Sequence, residues 1–316
     1  MTGEQPAAAA AAAAAPVTPA TSAVDGGLVL CNVSVASLSF RDVVTAASAA
    51  GFDAISILGR SLRRARTREG LSDSDIRAML DDNGLAVTEI EAVGDWLMPP
   101  PVDQPAFMNQ VLTEAEYLQA GRSLGAKTLV ATHFGDPVEL DQAAEKFAGL
   151  CDRAADHGLN VALEAVAWAT IGDIGTAWEI ARRADRPNAG VLVDAWHHNR
   201  GPGAGNAEML RRVPGDRVFA VQLSDAAATP VGPPLEDVRH RLLPGEGSLD
   251  LTGLVGILDD AGVRAPIGVE VLSAEILAQG PAGAGRILMD ALRATLDRAR
   301  SAVTESSGTE SSAPGR

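Results

Sequence analysis

Residues 191–197 read V-L-V-D-A-W-H, a short apolar run that ends on Asp194 and is followed by a histidine. Three further apolar runs of this kind end on Glu164, Gln222 and Glu270. A buried strand that ends on one polar residue places that side chain at the carboxyl edge of its sheet, where parallel α/β proteins hold their sites. The four runs therefore predict a parallel α/β protein with one site assembled from four strand ends.

Short β-branched runs and segments with helical spacing alternate eight times along the chain. The expected strands are 28–35, 54–58, 86–90, 128–131, 161–165, 190–193, 218–223 and 267–271. The expected helices are 40–50, 72–83, 105–124, 140–157, 172–184, 206–213, 249–261 and 283–302. Eight is the number of strand–helix units that closes a barrel. A doubly wound sheet is the alternative, but its glycine-rich loop should follow the first strand, and residues 33–38 contain no glycine. We expect an α/β protein with a single-domain (β/α)8 TIM barrel.

The two ends of the chain differ from the middle in composition. Residues 1–26 consist mainly of Ala, Pro, Thr and Gly, and we expect a disordered leader there. The alanine run is weakly apolar and follows Glu4 instead of a basic cluster, so a secretory signal is not expected. Residues 303–316 are expected to form a disordered tail, which leaves 27–302 as the catalytic barrel domain.

The overall composition limits the partners that this protein can have. The chain of 316 residues has a net charge of −15, which repels phosphate backbones and argues against a nucleic acid partner. It has no uninterrupted apolar run of the roughly 18–20 residues that a membrane span needs, so no membrane partner is expected. Two cysteines in a chain of this length favour a cytoplasmic location. The oligomeric state stays open, with a homodimer as one expectation.

The four strand-end residues offer oxygen ligands. Glu164, Asp194, Gln222 and Glu270 together would suit one divalent metal ion, Mn²⁺, Mg²⁺ or Co²⁺. Three carboxylates at one barrel mouth repel each other unless a cation neutralises them or one stays protonated. The alternative for each residue is a plain hydrogen bond to a neighbouring loop. We expect these four residues to be metal ligands.

Four other side chains are candidates for substrate contacts. His197 follows the sixth strand closely enough to reach a substrate at the metal, and His133, after the fourth strand, is expected to face the same mouth. Arg241 lies in the loop 239–247, R-H-R-L-L-P-G-E-G, where a guanidinium can hold a substrate oxygen. Trp168 can stack on a sugar ring, although packing within its loop explains it equally well.

At these residues the chain resembles the sugar phosphate isomerase/epimerase superfamily, which has a xylose-isomerase-like TIM barrel. The shared features are a glutamate ending strand five, Asp-x-x-His after strand six, the loop P-G-E-G at 244–247, and a glutamate ending strand eight. The resemblance covers residues 28–300. It implies metal ligation by the four strand-end residues and substrate contacts by His197 and Arg241.

Two departures from the superfamily pattern bear on the reaction. Many epimerases carry histidine where this chain has Gln222, and glutamine there resembles the bacterial 3-dehydroshikimate dehydratases, as do V-Q-L-S-D-A at 221–226 and the stretch around Trp168. The serine that those dehydratases tend to carry before the loop arginine is replaced by Asp237. The superfamily's trinuclear zinc endonuclease needs several histidines on strands two, three and seven, whereas strand two here ends in Leu58-Gly59 and strand three in Glu91. Together with the net charge of −15, this argues against a DNA-repair function.

The resemblance implies a metal-dependent isomerase or epimerase that acts on a sugar, sugar phosphate or cyclitol through an enediolate. Glu164 and Glu270 would then move protons on opposite faces of the substrate. The alternative is a lyase that dehydrates 3-dehydroshikimate or a keto-inositol, with His197 protonating the departing hydroxyl. A non-catalytic sugar-binding barrel is a third class. In each case the partner is a small sugar or cyclic keto-polyol, and its identity depends on loops that follow no transferable pattern.

Overall fold

The computed structural model describes residues 26–98 and 112–310. Eight parallel strands close into a barrel in the order β1 to β8. Their bounds are β1 Leu28–Leu30, β2 Ala54–Leu58, β3 Ala86–Val93, β4 Thr128–Ala131, β5 Asn160–Glu164, β6 Ala189–Asp194, β7 Val218–Leu223 and β8 Ile267–Val269. The predicted (β/α)8 TIM barrel is therefore confirmed. The main change is at β1, which is shorter than predicted because residues 32–35 form a turn of 3-10 helix.

The helices surround this barrel. Their bounds are α1 Phe40–Ala50, α2 Gly59–Arg68, α3 Asp73–Asp82, α4 Glu114–Leu124, α5 Leu140–Ala155, α6 Ile174–Ala184, α7 Ala195–Arg200, α8 Ala207–Arg211, α9 Pro234–Asp237, α10 Leu251–Asp260, α11 Ala274–Leu277 and α12 Gly280–Glu310. The predicted leader, apart from Gly26, lies outside the described residues, as does the predicted start of the helix over 105–124. Helix α12 runs to Glu310, and the predicted domain limits, 27–302, stay a prediction. In the part of the chain that the structure describes, no helix is both long and apolar enough to span a bilayer.

Local sequence explains where several helices begin and end. Ser72 and Thr113 each accept a hydrogen bond from the third residue of the following helix, and that residue's carboxylate accepts from the cap's own N–H. These capping boxes satisfy amides that a helix start leaves free. Helix ends are marked as well. At the C-terminus of α1, Gly51 has a φ of 76°, a left-handed conformation that glycine adopts without strain because it has no Cβ.

Alternation along the strands separates the barrel interior from the helix-facing side. The small inner cluster consists of Val130, Ala162, Leu192 and Ala220. The residue two positions further along each of these strands points into the barrel as well, since side chains alternate with a period of two. The four inner residues form an apolar plug. The residues two positions further on, Thr132, Glu164, Asp194 and Gln222, belong to a ring of side chains above this plug, at the carboxyl end of the barrel where TIM-barrel sites lie.

Candidate active site

The ring above the apolar plug contains the four predicted ligands. Asp194 pairs with Gln222 across β6 and β7, and Gln222 pairs with Gly268, two residues before Glu270, across β7 and β8. Glu164 ends β5 and pairs with Leu192 in the neighbouring strand. Neighbouring strands therefore deliver all four side chains to one end of the barrel, and their ligation of a metal stays a prediction.

Arg241 joins two of these carboxylates. Its Nη1 donates to Oδ2 of Asp194 at 2.8 Å and lies 3.2 Å from Oε1 of Glu270. The side chain is almost fully buried, and its guanidinium carbon lies 5.2 Å from the ring centroid of Trp196. Burial alone raises the pKa of Asp194, but the Arg241 charge and the adjacent His197 hold that pKa below its usual value. Asp194 is therefore the carboxylate that stays ionised.

The pKa values of Glu164 and Glu270 are raised, whereas that of Asp194 is lowered. Burial raises the pKa of Glu270 to about 8, and burial followed by the charges of Glu270 and Asp194 raises the pKa of Glu164 well above its ordinary value. Ligand atoms of Glu164, Asp194 and His197 all lie within 4.8 Å of one another. A cation placed among these groups would favour their ionised forms.

Gln222 provides the test of whether the ring fits a metal ion. Its Nε2 donates to Oε2 of Glu91 at 3.3 Å, while its Oε1 is buried and accepts no hydrogen bond. A buried amide oxygen without a donor is costly unless something else binds it. Among the described acidic residues and histidines, the group close enough to share one ion is Glu164, Asp194 and His197, without Glu270. With the Gln222 oxygen on the strand beside Asp194, these donors fit a divalent cation.

His197 lies beside this ring on α7, directly after β6. Asp194 caps α7 by accepting from the His197 N–H at 2.7 Å, which fixes the backbone of the histidine. The Ala167 N–H lies 3.2 Å from Nδ1, and Nη2 of Arg241, which can only donate, lies 3.3 Å from Nε2, so donors on both sides fix the orientation of the ring. Burial lowers the pKa of His197 to about 4, which keeps the ring neutral at pH 7. Nε2 lies 3.8 Å from Oε1 of Glu164.

The ring opens into a pocket of about 410 Å³. Glu91, Glu164, His197, Arg241 and Glu270 form its polar base. Its walls are mainly apolar and aromatic, and include Leu58, Phe134, Val166, Trp168, Val238 and Leu272. The rings of Trp168 and Phe134 are near-parallel at 6.5 Å, and Trp168 meets His197 edge-on at 5.2 Å. Trp168 is thus part of the pocket wall, and its stacking on a substrate ring stays a prediction.

His133 does not lie in the pocket, contrary to the prediction. It is buried behind the wall, with its Nε2 3.1 Å from the Asp136 carbonyl oxygen and its ring edge-on to Trp96. The physical reason is strand alternation: Thr132 shares the inward direction of Val130, so the next side chain points outward. Thr132 and Phe134, on either side of it, line the pocket instead.

Glu91 is the site residue that the sequence argument missed. The pattern T-E-I-E at 88–91 alternates two glutamates within an apolar strand, and both are buried inside the barrel. Such alternation places ionisable groups in a closed interior, which is unusual unless they have a function. The third strand was predicted to end at Ile90, which placed Glu91 at the strand end. In the structure β3 continues to Val93, and Glu91 lies within the strand.

The fold and this group of buried acidic side chains define a TIM-barrel protein with a polar site at the carboxyl end of its barrel. A family model described as xylose isomerase-like TIM barrel matches residues 44–295. The chain belongs to this family.

Curated relatives carry two different reaction names. A 3-dehydroshikimate dehydratase of Pseudomonas aeruginosa is 29% identical over 249 residues, which are 77% of this chain and 38% of that protein. An inosose isomerase of Bacillus velezensis is 26% identical over 182 residues, 55% of this chain and 63% of the relative. The chain therefore spans well under half the length of the dehydratase that it matches.

Among solved structures, a crystal structure of an IolI protein with a bound zinc atom superposes with a TM-score of 0.74. The two sequences are 19% identical, and the match covers 86% of this chain and 98% of the other. At this identity the likeness supports the barrel fold alone.

Proposed function

We propose that this chain is a divalent-metal-dependent dehydratase of a small, cyclic, polyhydroxylated ketone. The reaction begins with removal of a proton beside the carbonyl group, the step that dehydration shares with isomerisation and epimerisation. Mn²⁺, Mg²⁺ or Co²⁺ would be held by Glu164, Asp194, Gln222 and Glu270. When bound, the ion supplies Lewis-acid stabilisation of negative charge on the carbonyl oxygen.

The unequal surroundings of the two glutamates carry this proposal. Glu270 is held by Arg241 at 3.2 Å, whereas Glu164 has no arginine ion pair among the described residues and lies 3.8 Å from His197 Nε2. One carboxylate without an arginine partner, beside one group that can carry a proton, is the arrangement that an elimination needs. An epimerase needs two carboxylates that are both free to exchange protons.

The elimination can be written with the residues in place. Glu164 accepts the proton from the carbon beside the carbonyl and passes it to Nε2 of the neutral His197. The imidazolium so formed donates that proton to the β-hydroxyl. The C–O bond breaks, the C=C bond forms, and water leaves, with Glu164 again ionised and His197 again neutral. Arg241 holds a substrate oxygen at the base of the pocket, and Trp168 covers the ring face.

The relatives support the same choice. The dehydratase match covers 77% of this chain and the inosose isomerase match 55%. Glutamine at position 222 is the feature that the sequence resemblance associates with dehydratases. The names of both relatives point to cyclic keto-polyols, which fit a pocket with a polar base and an apolar aromatic wall.

A second candidate is an isomerase or epimerase of a sugar or cyclitol. It is supported by the presence of both Glu164 and Glu270 in the pocket, on β5 and β8, and by the inosose isomerase relatives. Proton transfer between two carboxylates across the substrate would then require Glu270 to leave Arg241.

Proton NMR in D₂O separates the candidates. The Mn²⁺-reconstituted protein is incubated with 3-dehydroshikimate and with inososes, and the manganese is removed before spectra are recorded. New alkene or aromatic protons with loss of a hydroxyl-bearing carbon support the dehydratase. Deuterium incorporation with all hydroxyls retained would instead establish the isomerase or epimerase. Substrate binding without either change would identify a non-catalytic binding barrel.

A further inference from the structure

Glu91 reaches the predicted metal ring from the opposite wall of the barrel. Strands β3 and β7 lie four positions apart in a closed order of eight, so they face each other across the interior. The contact of Glu91 Oε2 with Gln222 Nε2, at 3.3 Å, bridges that interior. Both side chains are buried, with 6% and 2% exposure respectively. Glu91 therefore touches a proposed metal ligand through the amide end that a metal does not bind.

A chain of hydrogen bonds runs from Asn32 through Ser56 and Glu91 to Gln222, and its first donor sets the direction of the bonds that follow. The backbone N–H of Asn32 can only donate, and it donates to Ser56 Oγ at 2.9 Å. The Ser56 hydroxyl proton is consequently directed at Glu91 Oε1. With Oε1 occupied by the Ser56 hydroxyl, Glu91 accepts the Nε2–H of Gln222 on Oε2, which selects the nitrogen end of that amide.

The oxygen end of the amide is then left for the ring. Gln222 Oε1 is buried without a hydrogen-bond partner, and Gln222 is the register neighbour of Asp194. If the amide were turned over, its NH₂ group would occupy the ligand position and could not bind a cation. The orientation of one amide thus decides whether the ring has four oxygen ligands or three.

We propose that Glu91 is a positioning residue, which holds the Gln222 amide with its oxygen toward the metal ring. The inference rests on the metal site of the proposed function. It also explains why an acidic residue occupies the interior of β3 without joining the predicted ligands. Partners in contact with ligating side chains typically change metal affinity by 10–100-fold when they are replaced.

Two substitutions that remove the same charge test this role. In Glu91→Gln, the new amide accepts from Ser56 with its oxygen and presents NH₂ to Gln222, which must turn over and present its own NH₂ to the ring. In Glu91→Met, nothing holds the Gln222 amide, and its oxygen remains free to turn to the metal. Mn²⁺ affinity, measured from the electron paramagnetic resonance of free Mn²⁺, should fall by about 100-fold in E91Q and about tenfold in E91M.

A polarity swap provides the matched rescue. In the double variant E91Q/Q222E, the carboxylate introduced at position 222 accepts from the amide introduced at position 91 with one oxygen and offers the other to the ring. It should recover at least about tenfold of the affinity lost in E91Q. Glu89→Gln, an equally sized change two residues away whose carboxylate accepts from Thr88, controls for position on the strand and should keep wild-type affinity.

The outcomes separate the inference from the proposed function. Equal losses in E91Q and E91M would show that only charge matters and would overturn the positioning role, as would wild-type affinity in E91Q or no recovery in the double variant. If the wild-type protein binds no Mn²⁺ at all, the metal site itself is wrong. Melting temperatures of the metal-free variants verify that each one folds.

Discussion

Asp194 shows how much one residue can determine at this site. It ends β6, it caps α7 through the His197 N–H, and its other carboxylate oxygen accepts from Arg241. The cap fixes the backbone of His197, and the ion pair keeps the aspartate ionised although it is buried. The sequence indicated the Asp-x-x-His pair because the two residues are close in the chain. It could not indicate the contact with Arg241, which is 47 residues away.

His197 is predicted to donate a proton without binding the metal. His197→Asn should lower kcat by about 10²–10⁴-fold, the usual contribution of general acid–base catalysis, because the asparagine cannot exchange a proton. Mn²⁺ affinity should stay close to that of the wild type. His198→Asn, the adjacent substitution, is the control and should keep normal turnover. A large fall in Mn²⁺ affinity in His197→Asn would instead make this histidine a ligand.

The buried Glu89 is predicted to make the free energy of unfolding depend on pH. Burial raises its pKa to about 8 from the ordinary value of 4.5, so the folded state keeps a proton that the unfolded state loses first. Stability therefore falls as pH rises from 4.5 to 8, by at most about 5 kcal/mol. Glu89→Gln should remove the part of this fall that Glu89 causes, so the free energy of unfolding of the variant relative to the wild type should be higher at about pH 9 than at about pH 5.

Urea titrations of the metal-free protein at both pH values measure this effect. The exposed Glu145→Gln on α5 serves as the control and should leave the difference between the two pH values unchanged. A pH difference as large in Glu89→Gln as in the wild type would assign the whole effect to other groups, such as Glu164 and Glu270.

At the scale of elements, strand alternation determined most of what the sequence could predict. The inward positions of β5 to β8 read as apolar residues followed by one polar residue, and the structure places that polar residue at the barrel mouth in each case. The first strand was predicted too long, because V-S-V at 33–35 has the β-branched composition of a strand but forms a 3-10 turn. His133 was misplaced because its strand ends at Ala131, and a single position of alternation decides its direction.

The space around a glycine differs between strand β8 and helix α10. A Cβ at Gly268, in β8, would lie 2.4 Å from Cys31 Sγ inside the barrel, whereas one at Gly256, in α10, would meet nothing within 4 Å. Gly268→Ala should therefore destabilise the fold by about 1–3 kcal/mol, as over-packed cores do. Gly256→Ala should stabilise it by about 0.5–1 kcal/mol. Urea unfolding measures both, and equal effects would contradict this account of β8.

At the scale of the whole molecule, the closed barrel brings distant carboxylates together and the bound ion is expected to hold them there. Glu164, Asp194 and Glu270 raise each other's energy in the folded state, so a cation that binds only this state should stabilise it. At a Mn²⁺ concentration about 100 times the dissociation constant, the gain should be about 2.7 kcal/mol.

Thermal unfolding with and without a chelator tests this prediction. The melting temperature should rise on addition of Mn²⁺ in the wild type and much less in Asp194→Asn, which keeps the shape of the side chain but loses a charged ligand. A rise of equal size in both proteins would place the ion elsewhere.

The barrel class, the strand ends and the four candidate oxygen ligands followed from the sequence alone, because strand periodicity and polar strand ends are local properties of the chain. The tertiary structure decided the contact of Glu91 with Gln222 and the ion pair of Arg241 with Asp194. Each depends on which side chains meet across a closed interior. Contacts between β3 and β7, separated by more than a hundred residues, follow from the geometry of closure and from no pattern along the chain.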